Sequence, residues 1–194
     1  MQNDLSNILI HEITENALTL CSNVRVVWDS IMMKCLIVVS ILLLQLTCTN
    51  HDTPSCPNFY LEDVDGNPVV LHQLLTQGPV FICTWALWAK MCIKELDALN
   101  LYYDELDSMG LQLLAISQDA ERNIPDVKPF AESHGWKFRI VLDPDNAVRD
   151  SFDIVALPTC FAIDQDGDIT FTHIGYTVGD EIMIVDTLRV LYGK

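Results

Sequence analysis

Basic residues are scarce in this sequence of 194 residues. It has 11 Lys and Arg against 27 Asp and Glu, which gives a formal net charge of −16. The phosphate backbone of a nucleic acid repels so acidic a chain, and no cluster of basic residues offsets the deficit. The composition therefore argues against a nucleic-acid partner.

Paired metal ligands are also missing. The seven cysteines include no Cys-x-x-Cys pair, which weakens both a structural zinc site and a disulfide scaffold. His134 and His173 are not spaced as a metal-binding pair. The segment Asp164–Asp168 begins like a calcium loop but lacks the closing Glu, so it predicts a hairpin turn. We expect no metal site and no cofactor.

The longest uncharged apolar run, Leu36–Leu46, is too short to span a bilayer. It follows Lys34, and a basic residue before a short apolar core is typical of a secretory signal. Such a signal belongs at the N-terminus, so residues 1–31 are predicted to be a misassigned upstream extension and residues 32–48 a signal segment. The alternative is a buried or membrane-embedded helix within a genuine N-terminal region.

Cys48 closes this run in a loose match to a bacterial lipoprotein box, which predicts lipidation of Cys48; an incidental cysteine is the other interpretation. Residues 49–57 are polar and contain proline, as is typical of a linker. We therefore predict an extracytoplasmic domain, anchored to the membrane or periplasmic, in which the N-terminal segment provides the membrane association.

Residues 58–194 alternate between predicted strands and helices, which indicates an α/β fold with a central mixed sheet flanked by helices. Three tryptophans, Trp85, Trp88 and Trp136, are expected to pack around the sheet rather than to form a ligand cage. The predicted elements are strands at 68–71, 79–85, 111–117, 137–142, 159–163 and 169–174, and helices at 91–109, 127–134, 146–152 and 180–191.

The segment Phe81–Leu96 resembles the active-site segment of thioredoxin-like thiol–disulfide oxidoreductases of the extracytoplasmic TlpA/ResA type. In that family a buried strand delivers Trp-Ala-x-Trp-Cys-x-x-Cys onto a helix that continues Lys-Glu-Leu. Further matches follow in order at Leu142–Asp145, Ala156–Thr159, Phe161–Gly167 and His173–Asp180. The resemblance covers residues 58–194 and implies a thioredoxin-like fold.

The chemical motif of the family is broken in this sequence. The first cysteine, the attacking thiolate, falls on Ala89, and the second falls on Cys92. An alanine forms no mixed disulfide, so dithiol exchange is expected to be impaired. In thioredoxin a buried carboxylate assists proton transfer, and that position falls on Cys83. Cys92 is therefore a buried remnant, a lone reactive thiol, or the partner of Cys83 or Cys160 in a disulfide.

The resemblance also implies a binding groove. Pro158 matches the family's cis-proline, whose loop borders the groove where an extended substrate chain pairs. We expect Trp88, Leu157, Pro158 and Thr159 to contact protein thiols, disulfides or extended peptide segments. The alternative is that the loop is kept only for the sheet.

Three functions follow from these residues. The first is an oxidoreductase-family protein with impaired or altered one-cysteine chemistry, and the second is a non-catalytic binding or chaperone-like module. The third, a peroxidase that uses Cys92, is disfavoured because Ala89 stands where peroxidatic motifs place a threonine.

Overall fold

The structure is a computed structural model that describes residues 56–193. The predicted signal segment, Cys48 and most of the predicted linker lie outside the described residues. The strands are β1 (Tyr60–Asp63), β2 (Pro68–Val70), β3 (Val80–Trp85), β4 (Gln112–Ser117), β5 (Arg139–Leu142), β6 (Thr159–Ile163) and β7 (Ile169–Ile174). The α-helices are α1 (Leu71–Leu75), α2 (Lys90–Asn100), α3 (Tyr103–Ser108), α4 (Ile124–His134), α5 (Ala147–Ser151) and α6 (Asp180–Tyr192).

The strands form one mixed sheet in the order β2-β1-β5-β4-β3-β6-β7. Strands β3, β4 and β5 run parallel, whereas β6 pairs with β3 in antiparallel fashion and β7 pairs with β6 in the same way. On the other side, β1 pairs antiparallel with both β5 and β2. This arrangement confirms the predicted mixed sheet.

Strand β3 lies in the middle of the sheet, and all six of its side chains are buried. Because successive side chains of a strand point to opposite faces, the five apolar ones divide between two hydrophobic clusters. Phe81, Cys83 and Trp85 pack with residues of α2, α4 and α6. Val80 and Ile82 pack with residues of α1 and α5. The sheet is therefore covered by helices on both faces.

The predicted helix over 91–109 is wrong in one respect, since the structure has two helices, α2 and α3. The break follows Asn100, whose side-chain amide donates to the Gly135 carbonyl while its side-chain oxygen accepts from the Lys137 backbone N–H. These bonds hold the end of α2 against the segment after α4. Apolar spacing continues across the break because Leu106 of α3 joins the same cluster as Leu99 of α2.

Cys56 packs with the folded body, although the sequence pattern predicts that it lies in a linker. Cys56 is buried in the cluster that contains α1, and its backbone N–H donates to the Gly167 carbonyl at 3.0 Å. It was predicted to belong to a linker because its neighbours in the sequence are polar. Within residues 56–193, the structure contains no helix with both the length and the apolar character that crossing a bilayer requires.

Candidate active site

The turn between β3 and α2 is held in place by a buried carboxylate. The Leu87 backbone N–H donates to the Asp119 carboxylate at 2.8 Å, and the Ser117 hydroxyl donates to the same oxygen at 2.9 Å. Asp119 follows β4, the parallel neighbour of β3. The carboxyl ends of two central strands therefore fix the segment that leads into α2.

Ala89 is the N-cap residue of α2. The first turn of a helix has backbone N–H groups without helical partners and a partial positive charge, which stabilise an anion placed there. The methyl group of Ala89 makes no capping hydrogen bond and offers no nucleophile. The chain therefore has no thiol at the place where the helix terminus would most favour a thiolate.

Cys92 lies one turn further into α2, and its side chain is fully buried. Burial raises the pKa of the Cys92 thiol to about 12, and the negative charge of Glu95 adds to the effect. A thiol with this pKa is protonated at neutral pH. The thiolate is the nucleophilic form, so this environment suppresses the reactivity of Cys92.

Glu95 is a buried carboxyl group that the sequence analysis did not single out. It is fully buried on α2, and desolvation raises its pKa to about 8, with a further contribution from the charge of Asp180. The signal was available in the sequence, because Glu95 lies three residues after Cys92 and next to Leu96 on the apolar face of the helix. The core therefore contains a buried carboxyl group on α2, although the position at which thioredoxin has its buried carboxylate is Cys83 in this chain.

The Leu157–Pro158 peptide bond is cis, as the resemblance implied. The carbonyl of the buried Pro158 accepts a hydrogen bond from the Gly175 backbone N–H at 2.8 Å, which ties the loop to the segment after β7. Leu157 is half-buried and contacts the hydrophobic core. The loop thus lies against the sheet just before β6 begins.

The sequence analysis predicts that Trp88 packs around the sheet, and this is wrong, since its side chain is 71% exposed. Trp85 and Trp136 do pack together, with ring centroids 4.8 Å apart in an edge-to-face arrangement. Trp88 instead lines a shallow cleft of about 140 Å³ beside the proline loop. The residues that line this cleft are Trp88, Gln118, Arg149, Ile154, Val155, Ala156 and Leu157.

Thr159 is buried and does not lie at a surface where a substrate could contact it. Its polar groups are hydrogen-bonded within the protein. Its hydroxyl donates to the Ala156 carbonyl at 2.7 Å. Its backbone N–H donates to the Thr84 hydroxyl, which in turn donates to the Thr159 carbonyl. Thr159 supports the loop from within, and the exposed part of the cleft is formed by Trp88 and the residues before Pro158.

The two candidate partners of Cys92 face each other instead. Cys83 of β3 and Cys160 of β6 are directly opposite in the antiparallel register. The four cysteines within the described part of the chain, Cys56, Cys83, Cys92 and Cys160, are all free thiols. The geometry therefore brings Cys83 together with Cys160 and places Cys92 on the helix above them.

Comparison with known proteins agrees with this geometry. Residues 54–172 match the model of the AhpC/TSA family. The chain belongs to the AhpC/TSA family. The thiol-disulfide oxidoreductase ResA of Bacillus subtilis (strain 168) is 34% identical over 135 residues, which is 70% of this chain and 73% of that relative. ResA of Bacillus anthracis is 31% identical over 126 residues, 65% of this chain and 71% of that relative.

Solved structures confirm the thioredoxin-like fold of this family member. A thioredoxin-like protein from Porphyromonas gingivalis has a TM-score of 0.62 and 30% identity, covering 73% of this chain and 94% of its own. The thiol:disulfide interchange protein DsbE from Chlorobium tepidum has a TM-score of 0.65 and 24% identity, covering 72% of this chain and 96% of its own. The second likeness supports the fold alone.

Proposed function

We propose that this protein is an extracytoplasmic, ResA-type member of the family that is impaired in dithiol exchange because only its second active-site cysteine, Cys92, remains. Ala89 at the N-terminus of α2 is the observation that carries the proposal. Exchange between a dithiol and a disulfide needs an attacking thiolate that forms a mixed disulfide and a second thiol that resolves it. Ala89 cannot supply the first of these.

Cys92 does not replace the missing thiolate. With its pKa raised to about 12 by burial, the Cys92 thiol is protonated at neutral pH. Its side chain has no exposed surface from which to reach a protein disulfide. The proposal includes the predicted N-terminal membrane anchor with lipidation at Cys48. Export behind an N-terminal signal would place the domain outside the cytoplasm, in an oxidising compartment.

The reactivity of Cys92 tests this part of the proposal. Alkylation of Cys92 by iodoacetamide at neutral pH, followed by mass spectrometry of its peptide, should be at least about tenfold slower in the folded protein than in the urea-unfolded protein, because burial shields the thiol and raises its pKa. Cys92→Ser is the control for assignment of the peptide. Equal rates in the folded and unfolded protein would mean an accessible, reactive thiol and would contradict the proposal.

A second function, binding of extended polypeptides without turnover, is favoured by the exposed indole of Trp88. A large aromatic side chain that is 71% exposed beside a cleft is a typical contact residue for a partner. Val155, at the rim of the same cleft, is 80% exposed. Neither residue needs a reactive cysteine in order to bind a chain.

Titration calorimetry with carboxymethylated insulin B chain, which has no thiols, tests this function. Trp88→Ala should weaken binding at least about tenfold, which corresponds to 1.4 kcal/mol. Tyr60→Ala is the matched control, because Tyr60 is 77% exposed on β1 and lies outside this cleft. Equal affinities of the two variants, or no binding by the parent, would rule out the cleft as a peptide site.

A further inference from the structure

Three buried acidic side chains from three elements meet beneath α2. Cys83 of β3 and Cys160 of β6 are opposite in the sheet, and Glu95 of α2 lies over them. Their two sulfur atoms and a carboxylate oxygen all lie within 4.8 Å of one another. Each of the three side chains is fully buried. We call these three residues the buried triad.

The described residues provide no counter-charge for the buried triad. Neither carboxylate oxygen of Glu95 makes a hydrogen bond of good geometry with the described residues. The Cys160 thiol nevertheless lies close enough to lower the pKa of Glu95, which partly offsets the effect of burial. Burial raises the pKa of both the Cys83 and the Cys160 thiol, and the charge of Glu95 adds to each. A buried polar group left without a partner in a native fold calls for an explanation such as a bound ion.

Two thiolates and a carboxylate are a suitable ligand set for a divalent cation of intermediate softness. Zn²⁺ binds Cys sulfur at about 2.3 Å and carboxylate oxygen at about 2.0–2.2 Å, so its ligand atoms lie roughly 3.5–4 Å apart. The separations in the buried triad, which are at most 4.8 Å, need to contract by no more than about 1.3 Å to reach these values. We propose that Cys83, Glu95 and Cys160 form a buried Zn²⁺ site.

The charges and protons of this binding step balance. Each thiol releases one proton to solvent as its sulfur binds the metal, and Glu95 releases one where it is protonated, with no change in oxidation state. The resulting two thiolates and one carboxylate carry three negative charges against the two positive charges of Zn²⁺. Binding thus converts three buried acids into ligands of one ion.

A disulfide between Cys83 and Cys160 is the competing outcome for the same two thiols. It would use the direct cross-strand pairing but would leave the Glu95 carboxyl buried without a partner. The metal site is favoured because it engages all three side chains. The role of Glu95 separates the two outcomes, since a disulfide does not need a carboxylate.

The test measures zinc in the full-length protein purified from zinc-supplemented cells and dialysed against metal-free buffer. We expect one Zn²⁺ per chain in the parent, and loss of that zinc in Cys83→Ala, Cys160→Ala and Glu95→Gln. Cys56→Ser is the matched control, because Cys56 is a buried free thiol that lies outside the buried triad. It should retain its zinc.

A second measurement keeps the proposal testable if a variant folds poorly. Cobalt added to the zinc-free parent should give the near-ultraviolet charge-transfer absorption of thiolate-bound Co²⁺, and Glu95→Gln, verified as folded by circular dichroism, should lose it. No zinc in the parent, or equal zinc in Glu95→Gln and the parent, would overturn the proposal. So would a parent in which Cys83 and Cys160 become titratable only after reduction and not after chelation, because that result identifies a disulfide.

Discussion

Cys92 and Glu95 are separated by three residues in α2, and their shared burial determines the protonation state of both side chains. The thiol and the carboxyl lie on the same buried face of α2, and burial favours the protonated, neutral form of both. The same two groups near the exposed N-terminus of the helix would be favoured as anions. Their burial in the core therefore keeps both side chains protonated, whereas the same side chains at the helix N-terminus would be more readily ionised.

The raised pKa of Glu95 predicts a specific dependence of stability on pH in the metal-free protein. The carboxyl has a pKa of about 8 in the folded state and an ordinary value of 4.5 when unfolded, so the native state binds the extra proton between these values. Stability from this group is fully present below pH 4.5 and is lost as the pH rises through 8. The free energy of unfolding should fall with a slope of up to about 1.4 kcal/mol per pH unit.

Glu95→Gln removes this titration and keeps the shape of the side chain. Urea unfolding is measured at several pH values from 5 to 8 with a chelator present. The free energy of unfolding of the parent should fall over this range, and the fall should be smaller in Glu95→Gln by on the order of several kcal/mol. Glu132→Gln, a change at an exposed position, should follow the parent. Parallel profiles for the parent and Glu95→Gln would show that Glu95 titrates normally.

Elements with a long hydrophobic pattern were predicted well from the sequence. The all-buried run of β3 and the apolar spacing in α6 gave both elements near their observed bounds, because burial on both faces or on one helical face leaves a repeated signal. Strand β1 and helix α1 were not predicted. They have only four and five residues. Length alone is not the reason, because β2 and α5 are as short and were predicted.

The elements that form the site were predictable to different degrees. The order of motifs identified the start of α2, Ala89, Cys92 and the proline loop, and the cis bond at Pro158 is confirmed. The meeting of Cys83 with Cys160 was not predictable, because it depends on the register between two strands that are far apart in the sequence. The exposure of Trp88 and the burial of Thr159 depend likewise on how the two loops pack.

At the scale of the whole molecule, the described residues form a seven-stranded sheet and two hydrophobic clusters. The overall negative charge of −16 favours solubility and does not specify the fold. Cys56 packs in the second cluster and therefore belongs to the folded body. We predict that residues 1–55 are dispensable for folding.

Two truncations of the chain test this boundary. Deletion of residues 1–55 should leave a single cooperative unfolding transition. Deletion of residues 1–57 should cost a further 1–3 kcal/mol or so, because it also removes the buried Cys56 side chain and its backbone bond to Gly167. Denaturant unfolding of both proteins gives the comparison. Loss of cooperativity in the longer fragment would show that the N-terminal segment belongs to the folded unit.

The central claim of the proposed function is that Ala89 stands where ResA-type proteins have their attacking thiol, so that dithiol exchange is impaired. The most direct test is insulin reduction by dithiothreitol, measured for the parent, Cys92→Ser, Ala89→Ser and Ala89→Cys. The parent should equal Cys92→Ser and Ala89→Ser at the background rate. Ala89→Cys restores a thiol at the helix N-terminus and a Cys-x-x-Cys pair with Cys92, so it should form a reversible disulfide and exceed the parent at least about tenfold. Robust turnover by the parent that disappears in Cys92→Ser would contradict the account and would make Cys92 a one-cysteine nucleophile.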